Sequence, residues 1–236
     1  MSTVAYITAR GLFGRRRVLL LLPLPLLMIA LALICRSYDV EPSQWGQAVI
    51  VGLGFVVVLP VTSLIVGTGV LGSEIDDGTI VHILTKPLPR RDIIFAKLLV
   101  ASVVSTVSAA IPMFIVGTLA DSVSFGLALV AGSAVGAIAY TALFLLLSLV
   151  TRRPVLLGLL YVLVWEGLLA RFISGTRVLS IEQYAIALSD KIHPTDLLPG
   201  KVSVPLAIIM SAIFAIGGTL YAIRRLGSFS VAGETS

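Results

Sequence analysis

The densest group of ionisable side chains in this chain is a polar stretch between two apolar runs. It holds four acids, four bases and one of the two histidines. His82 is a possible metal ligand or base, but no second histidine lies nearby, so an exposed polar position is the better interpretation. The mixture of charges favours a water-exposed surface suited to docking on a partner. Its charged and titratable residues are Glu74, Asp76, Asp77, His82, Lys86, Arg90, Arg91, Asp92 and Lys97.

A second candidate is Glu166, the only acidic residue well inside an apolar run. An acid at such a depth is costly in lipid and is a functional candidate by default. Counted from the start of its run, it lies roughly 18 Å into the membrane at 1.5 Å per residue. It could line a translocation path or a contact between two copies. It could instead act as a clasp, by pairing with Arg171 or with a group of the segment that follows, and we favour the clasp.

Composition places these residues in a membrane protein. The chain has 236 residues, of which 58% are hydrophobic and 12% charged, and its mean hydropathy is +1.07. Soluble domains carry about twice that charged fraction. The net charge of +5 does not indicate nucleic acid, because the bases cluster at the ends of apolar runs. The single cysteine, Cys35, excludes a disulfide within the chain and a cysteine-based zinc cluster.

Several apolar runs reach the roughly 20 residues that a helix needs to cross a bilayer. The sequence therefore predicts an all-α integral membrane protein with a single transmembrane domain over residues 1–236. We expect an amphipathic interfacial helix at residues 2–13, followed by six spans. A polar elbow (72–97) separates the second span from the third, and a polar segment (171–203) separates the last two. The spans are expected at about 18–34, 49–71, 98–119, 125–150, 155–170 and 204–223.

The distribution of basic residues predicts the orientation. Six spans put both termini on one side, and that side carries twelve of the 17 Lys and Arg residues. Because basic loops stay inside, the termini, the elbow and the turn at residues 151–154 are predicted to be cytoplasmic. Segment 171–203 is predicted to be external.

Helix-breaking glycine and proline residues divide the elbow into short helices. The second span is expected to continue to about Asp77 and to stop at Gly78. Thr79 is a good N-cap for a short helix, which Pro87 ends. A new helix should start at Pro89 or Arg90 and run into the third span. The result is a short transverse helix tied at both ends to membrane spans.

These residues resemble the signature of type-2 ABC exporter permeases, the transmembrane subunits of ATP-binding-cassette transporters. The matching pattern is Glu74-x3-Gly78-Thr79-x4-Leu84-x2-Pro87-x2-Arg90-x6-Lys97. Ala96 stands where the family usually has glycine, and Pro89 where it often has serine. The six spans, the basic N-terminus and the polar segment before the last span also agree with the family.

The resemblance implies that the chain docks on a separate ATPase through a coupling helix. It implies a second permease copy, or a related permease, as a further partner. The chain has no phosphate loop, so no cofactor is expected in it, and ATP and Mg should be bound by the partner ATPase. The docking residues would be Glu74, Gly78, Thr79, Ile80, Ile83, Leu84, Pro87 and Arg90.

The expected function is export of a hydrophobic or amphipathic substrate, since the spans contain few polar side chains besides Glu166. We expect a multi-pass protein of the cell membrane that contacts lipids and is not itself an enzyme. Two alternatives stay open at this point. An intramembrane lipid-modifying enzyme needs clustered polar groups, and Asp76-Asp77-Gly78 lacks the further residues of such an enzyme. An ion-coupled carrier or channel needs several ionisable residues in the spans, and Glu166 is thin support.

Overall fold

The structure is a computed structural model that describes residues 21–76 and 89–228, together with Thr8 and Leu19. The expected interfacial helix (2–13) and the transverse part of the elbow (77–88) lie outside the described residues. Within the described ranges the chain is helical, and no strand is present there. The all-α class is thus confirmed for this part of the chain.

The described part of the chain contains six long helical segments, and a shorter helix lies before the last of them. Helix α1 is Pro23–Ser37; α2 (42–76) joins Pro42–Gly46, Gln47–Val58 and Leu59–Asp76; α3 is Arg90–Ala120 and α4 is Val123–Val150. Helix α5 (154–172) joins Pro154–Leu160, Tyr161–Leu169 and Ala170–Phe172. The 3₁₀ turn Ser174–Leu179 leads to α6, Ile181–Ile192, and α7 (204–228) joins Val204–Ala212, Ile213–Gly217 and Gly218–Ser228.

Four of these helices are long and apolar enough to cross a membrane in the part of the chain that is described: Pro42–Leu71, Arg90–Ala120, Val123–Val150 and Val204–Leu226. Two shorter apolar helices, Pro23–Ser37 and Pro154–Leu169, occupy the positions of the other two expected spans. The chain is therefore a multi-pass membrane protein, and the number of six crossings stays a prediction.

Three of the long helices contain stretches of wider π turns, at Gln47–Val58, Tyr161–Leu169 and Ile213–Gly217. In such turns the N–H group bonds to the carbonyl five residues back, as Leu59 does with Gly54. The sequence predicted plain α-helical spans, because apolar composition does not distinguish the two kinds of turn.

Helix α4 is the central element, and two apolar clusters form around it. The larger cluster contains Tyr140 and Phe144 of α4 together with Phe55, Met113 and Tyr184. The smaller cluster joins Leu145 and Leu149 to residues of α2, α3 and α7, including Val70, Ile94 and Ala222.

Polar contacts mark the two ends of the bundle. At one end, which we call the Asp121 end, Arg36 donates to the Leu119 carbonyl over 3.1 Å, near the C-terminus of α3. A cation suits that position, because the last carbonyls of a helix carry partial negative charge. At the other end, which we call the Lys97 end, the Lys97 ammonium donates to the Val70 carbonyl over 2.7 Å.

The segment at 171–203 is more structured than its polar composition predicted. Its helix α6 buries one face in the larger cluster through Ile181, Tyr184, Ala185 and Ile186. His193, just after α6, lies 3.0 Å from Asp121 between Nε2 and Oδ2. The other end of α6 reaches into the bundle, so the segment is a re-entrant helix rather than a surface loop.

Two glycines of α4 make this close approach possible. A Cβ at Gly132 would collide with the Ser189 hydroxyl and the Ala185 carbonyl of α6. A Cβ at Gly136 would lie 2.7 Å from Cδ2 of Leu59 and 3.2 Å from Cβ of Ala185. The pair Gly132-x3-Gly136 is thus a small-x3-small contact.

Alanine at Gly132 should therefore destabilise the protein, whereas alanine at Gly217 should not. Gly217→Ala meets no atom within 4 Å, so the higher helix propensity should stabilise the protein by up to about 1 kcal/mol. Gly132→Ala should cost about 1–3 kcal/mol through overpacking. Thermal unfolding in detergent, followed by tryptophan fluorescence, measures both. Equal shifts in Tm for the two variants would contradict the close approach of α6.

Candidate functional site

The most unusual buried group is the carboxylate of Glu166, whose residue is 2% exposed. It lies in the π-helical stretch of α5, one helical turn after Val162, which is also buried. π turns inside α-helices are frequent at functional sites. The structure therefore places Glu166, the acid that the sequence puts well inside an apolar run, at a π turn in the protein interior.

Hydrogen-bond donors from three elements surround this carboxylate. The Tyr140 hydroxyl of α4 donates to Oε2. Oε1 accepts from the Ser180 hydroxyl at 3.4 Å and from the backbone N–H of Glu182 at 3.3 Å. The Tyr161 hydroxyl lies 3.4 Å from Oε1 and donates to the Leu179 carbonyl over 3.0 Å.

The N-terminus of α6 supplies two of these donors. Ser180 is its N-cap, and the Ser180 hydroxyl accepts from the Gln183 N–H while it donates to Glu166. The first N–H groups of a helix have no partner within the helix, and they carry partial positive charge. A carboxylate is therefore a favourable neighbour for this end of α6.

The depth of this contact explains why an acid is needed there. Helix α6 ends beside Asp121, whereas Tyr140 lies roughly 25 Å further along α4 from its first residue, Val123. Ser180 and Glu182 at this helix end are 0% and 4% exposed, so free N–H groups there need a partner within the protein. Glu166 thus compensates a helix N-terminus that is buried inside the bundle.

Sequence reasoning missed Tyr140, Tyr161 and Ser180 as partners of Glu166. Tyr161 precedes Glu166 by five residues, and in an α-helix residues that far apart point to different sides. The π turn brings them to one side, because it has more than four residues per turn. Tyrosines well inside apolar runs, at 140 and 161, were the only signal that the sequence offered.

The arrangement can hold elements together, but it is not a metal site. Over residues 21–76 and 89–228 no group of three His, Cys, Asp or Glu side chains could hold an ion. Tyr140 of α4 donates to Glu166, and so do Ser180 and Glu182 of the segment that follows α5. A group of that segment was one of the two partners suggested for a clasp. The other suggested partner, the Arg171 side chain, is not among the described ones.

The second candidate site is the elbow, of which the structure describes the base. Helix α2 continues to Asp76, so Glu74 lies in its last turn. Helix α3 begins at Arg90 after Pro89, as predicted, and Asp92 lies in its first turn. The expected docking residues Gly78, Thr79, Ile80, Ile83, Leu84 and Pro87 lie outside the described residues.

Lys97 is the residue that joins the two sides of the elbow base. It is 1% exposed, and its bond to the Val70 carbonyl links α3 to α2. Ile93 and Ile94 of α3 pack nearby with Val66 and Leu71 of α2 in the smaller apolar cluster. The described base of the elbow packs in the smaller cluster, whereas Tyr140, which bonds to Glu166, packs in the larger one.

Removing the Glu166 carboxylate should loosen α6. Glu166→Ala leaves several buried donors without an acceptor, so we expect a loss of about 2–5 kcal/mol in unfolding free energy. Glu166→Gln keeps one acceptor oxygen and should lose less. Thermal unfolding and tryptic cleavage after Arg177 measure the effect. The exposed acid Glu41 gives the matched control, Glu41→Ala, which should change neither; a Glu166→Ala protein as stable as this control would refute the clasp.

Comparison with known proteins agrees with the membrane architecture. The family described as ABC-2 family transporter protein matches residues 15–187. No curated protein and no solved structure matches the chain. The match covers α1 to α5, the elbow, and the N-terminal half of α6 with the Glu166 contact. The family match covers most of the chain and agrees with its apolar helices. This protein therefore belongs to the ABC-2 transporter family and is a membrane component of a transport system.

Proposed function

We propose that the protein is the permease subunit of an ABC exporter, driven by a separate ATPase that docks on the elbow at residues 72–97. Members of this family normally work with ATP-binding subunits. The proposed docking residues are those of the sequence signature, with Thr79 and Leu84 at the centre of the coupling helix. ATP and Mg would be bound by the partner, since this chain has no phosphate loop.

The observation that carries this proposal is the buried link between Lys97 and Val70. The elbow joins α2 to α3, and this bond ties the two helices at its base. A push on the transverse part would therefore move both helices as a unit rather than bend one of them. Leu145 of α4 and Ala222 of α7 pack in the same cluster, so the displacement would spread into the bundle.

The proposed substrate is hydrophobic or amphipathic. The outer faces of the helices carry large apolar side chains, such as Leu163 on α5 and Ile216 on α7. Glu166, the acid that the sequence places well inside an apolar run, is bonded to Tyr140, Ser180 and the N-terminus of α6. That arrangement favours an apolar cargo over an ion, and it gives the ion-coupled carrier no further support.

The proposed assembly contains two permeases, either two copies or one copy with a paralogue, together with ATPase subunits in the cell membrane. Both termini and the elbow would face the cytoplasm. The distribution of basic residues supports this orientation. Arg90, Arg91 and Lys97 lie at the Lys97 end of the bundle, and Arg152 and Arg153 follow the C-terminus of α4.

A charge at the centre of the coupling helix should uncouple the ATPase. Thr79→Glu or Leu84→Glu should lower the amount of ATPase that co-purifies with the permease by about tenfold, which corresponds to 1.4 kcal/mol of binding free energy. Thr151→Glu makes the same change in the turn between α4 and α5, on the same proposed side, and should leave ATPase binding unaltered. Full ATPase binding and substrate-stimulated hydrolysis in both elbow variants would overturn the proposed docking.

A further inference from the structure

A few buried hydroxyl groups of the described spans bond to no other protein group, and two of them lie on the helices that the elbow joins. Ser63 of α2 and Ser105 of α3 are both 0% exposed, and neither Oγ atom has a hydrogen-bond partner among the described residues. By contrast, the buried hydroxyls of Thr68 and Ser148 donate to the carbonyl four residues back on their own helix. A buried hydroxyl without a partner is costly, so both serines need a hydrogen-bonding group that their helices do not supply.

Contacts with α4 place the two serines at the same depth. The hydroxyls of Ser102 and Thr141 lie 2.9 Å apart, and a Cβ at Gly67 would lie 3.4 Å from Cα of Thr141. Ser63 precedes Gly67 by four residues, and Ser105 follows Ser102 by three. Because α2 and α3 run in opposite directions, both steps lead about one helical turn from Thr141 in the same direction.

The contacts between α2 and α3 give the same result. A Cβ at Gly54 would collide with the Met113 side chain, and further along the same pair of helices Lys97 bonds to the Val70 carbonyl. Sixteen residues separate these two contact points on each helix. The two serines lie seven and eight residues from the contact at Val70 and Lys97, so they are level with each other near the middle of this antiparallel pair.

The side chains around this level are small. Ala101 and Ala109 lie one turn before and after Ser105 on α3, and Ala137 lies one turn before Thr141 on α4; the three alanines are 0% exposed. The Ala137 carbonyl accepts from the Thr141 hydroxyl over 2.7 Å, and a carbonyl oxygen has a second lone pair. Two hydroxyls and one carbonyl from three helices therefore lie at this level, and about three partners are typical of a buried water.

We propose that Ser63 and Ser105 bind one ordered water molecule that bridges α2 to α3 beside α4. The structure places the two hydroxyls beyond hydrogen-bonding distance of each other, and water is the ligand that spans such a gap. The water accepts from both hydroxyls and donates to the Ala137 carbonyl. It ties the two helices of the elbow a second time, about 12 Å along α3 from Lys97. This inference does not depend on the identity of the ATPase or of the exported substrate.

Alanine variants remove the two ends of the bridge. Ser63→Ala and Ser105→Ala should each lower the Tm of the purified full chain in detergent by about 2–4 °C, because each removes one partner of the water. The double variant should shift Tm no further than the larger single shift, since one change already breaks the bridge. An unchanged or raised Tm in either single variant, or shifts that add in the double variant, would overturn the proposal.

Ser148→Ala gives the matched control. Ser148 is also buried, at 5% exposed, but its hydroxyl donates to the Phe144 carbonyl of its own helix. When it is combined with Ser105→Ala, the two shifts in Tm should add, because the two hydroxyls share no partner. If this pair is as non-additive as Ser63 with Ser105, the shifts report general loosening of the bundle, and the shared water is refuted.

A direct bond between the two hydroxyls would also make the alanine shifts non-additive, so a second measurement identifies the water itself. A structure of the full chain in a lipid nanodisc, at a resolution that shows ordered water, should contain a density peak about 2.7–3.2 Å from both Oγ atoms. The same peak should be missing from the structure of the Ser105→Ala variant. Two serine hydroxyls bonded directly to each other, or no peak between them, would contradict the bridge.

Discussion

The contact between Glu166 and the N-terminus of α6 is the constraint on which the packing of α6 against the bundle depends. A helix that enters the bundle from the Asp121 end must leave its first N–H groups without water. The Glu166 carboxylate and the Ser180 hydroxyl accept those bonds, and Tyr140 ties the same carboxylate to α4. An apolar residue at 166 would leave these donors unpaired. The buried carboxylate and the buried helix N-terminus therefore stabilise each other.

Close packing around this contact relies on the absence of side chains. Gly132 and Gly136 let α6 and α2 approach α4 to distances that a Cβ would forbid. Without a strong hydrophobic drive between helices in lipid, such approach provides the van der Waals contact that holds them. The polar clasp acts at the N-terminus of α6, and the two glycines contact Ala185 and Ser189 further along it.

A different contact joins the helices at the Lys97 end of the bundle. There Lys97 joins α2 to α3 at the base of the elbow. These two helices pack against α4 and α7 through the smaller apolar cluster. The two ends share α4 as a common element, because Tyr140 belongs to one cluster and Leu145 to the other. Under the docking proposed above, motion of the elbow would therefore reach the Glu166 contact through α4, which packs in both clusters.

The sequence by itself determined the membrane class, the positions of the apolar helices, the start of α3 at Arg90 and the membership in a permease family. Those features depend on composition, on breakers such as Pro89 and on local spacing, which act within one segment. Only the tertiary structure decided that residues 181–192 form a re-entrant helix, that Tyr140 and Ser180 bond to Glu166, and that Ser63 and Ser105 lie at the same depth in the core. These are contacts between segments distant in the chain, and the π turn that aligns Tyr161 with Glu166 leaves no trace in hydropathy. Local pattern specifies which residues can be buried, whereas packing selects the partners that they meet.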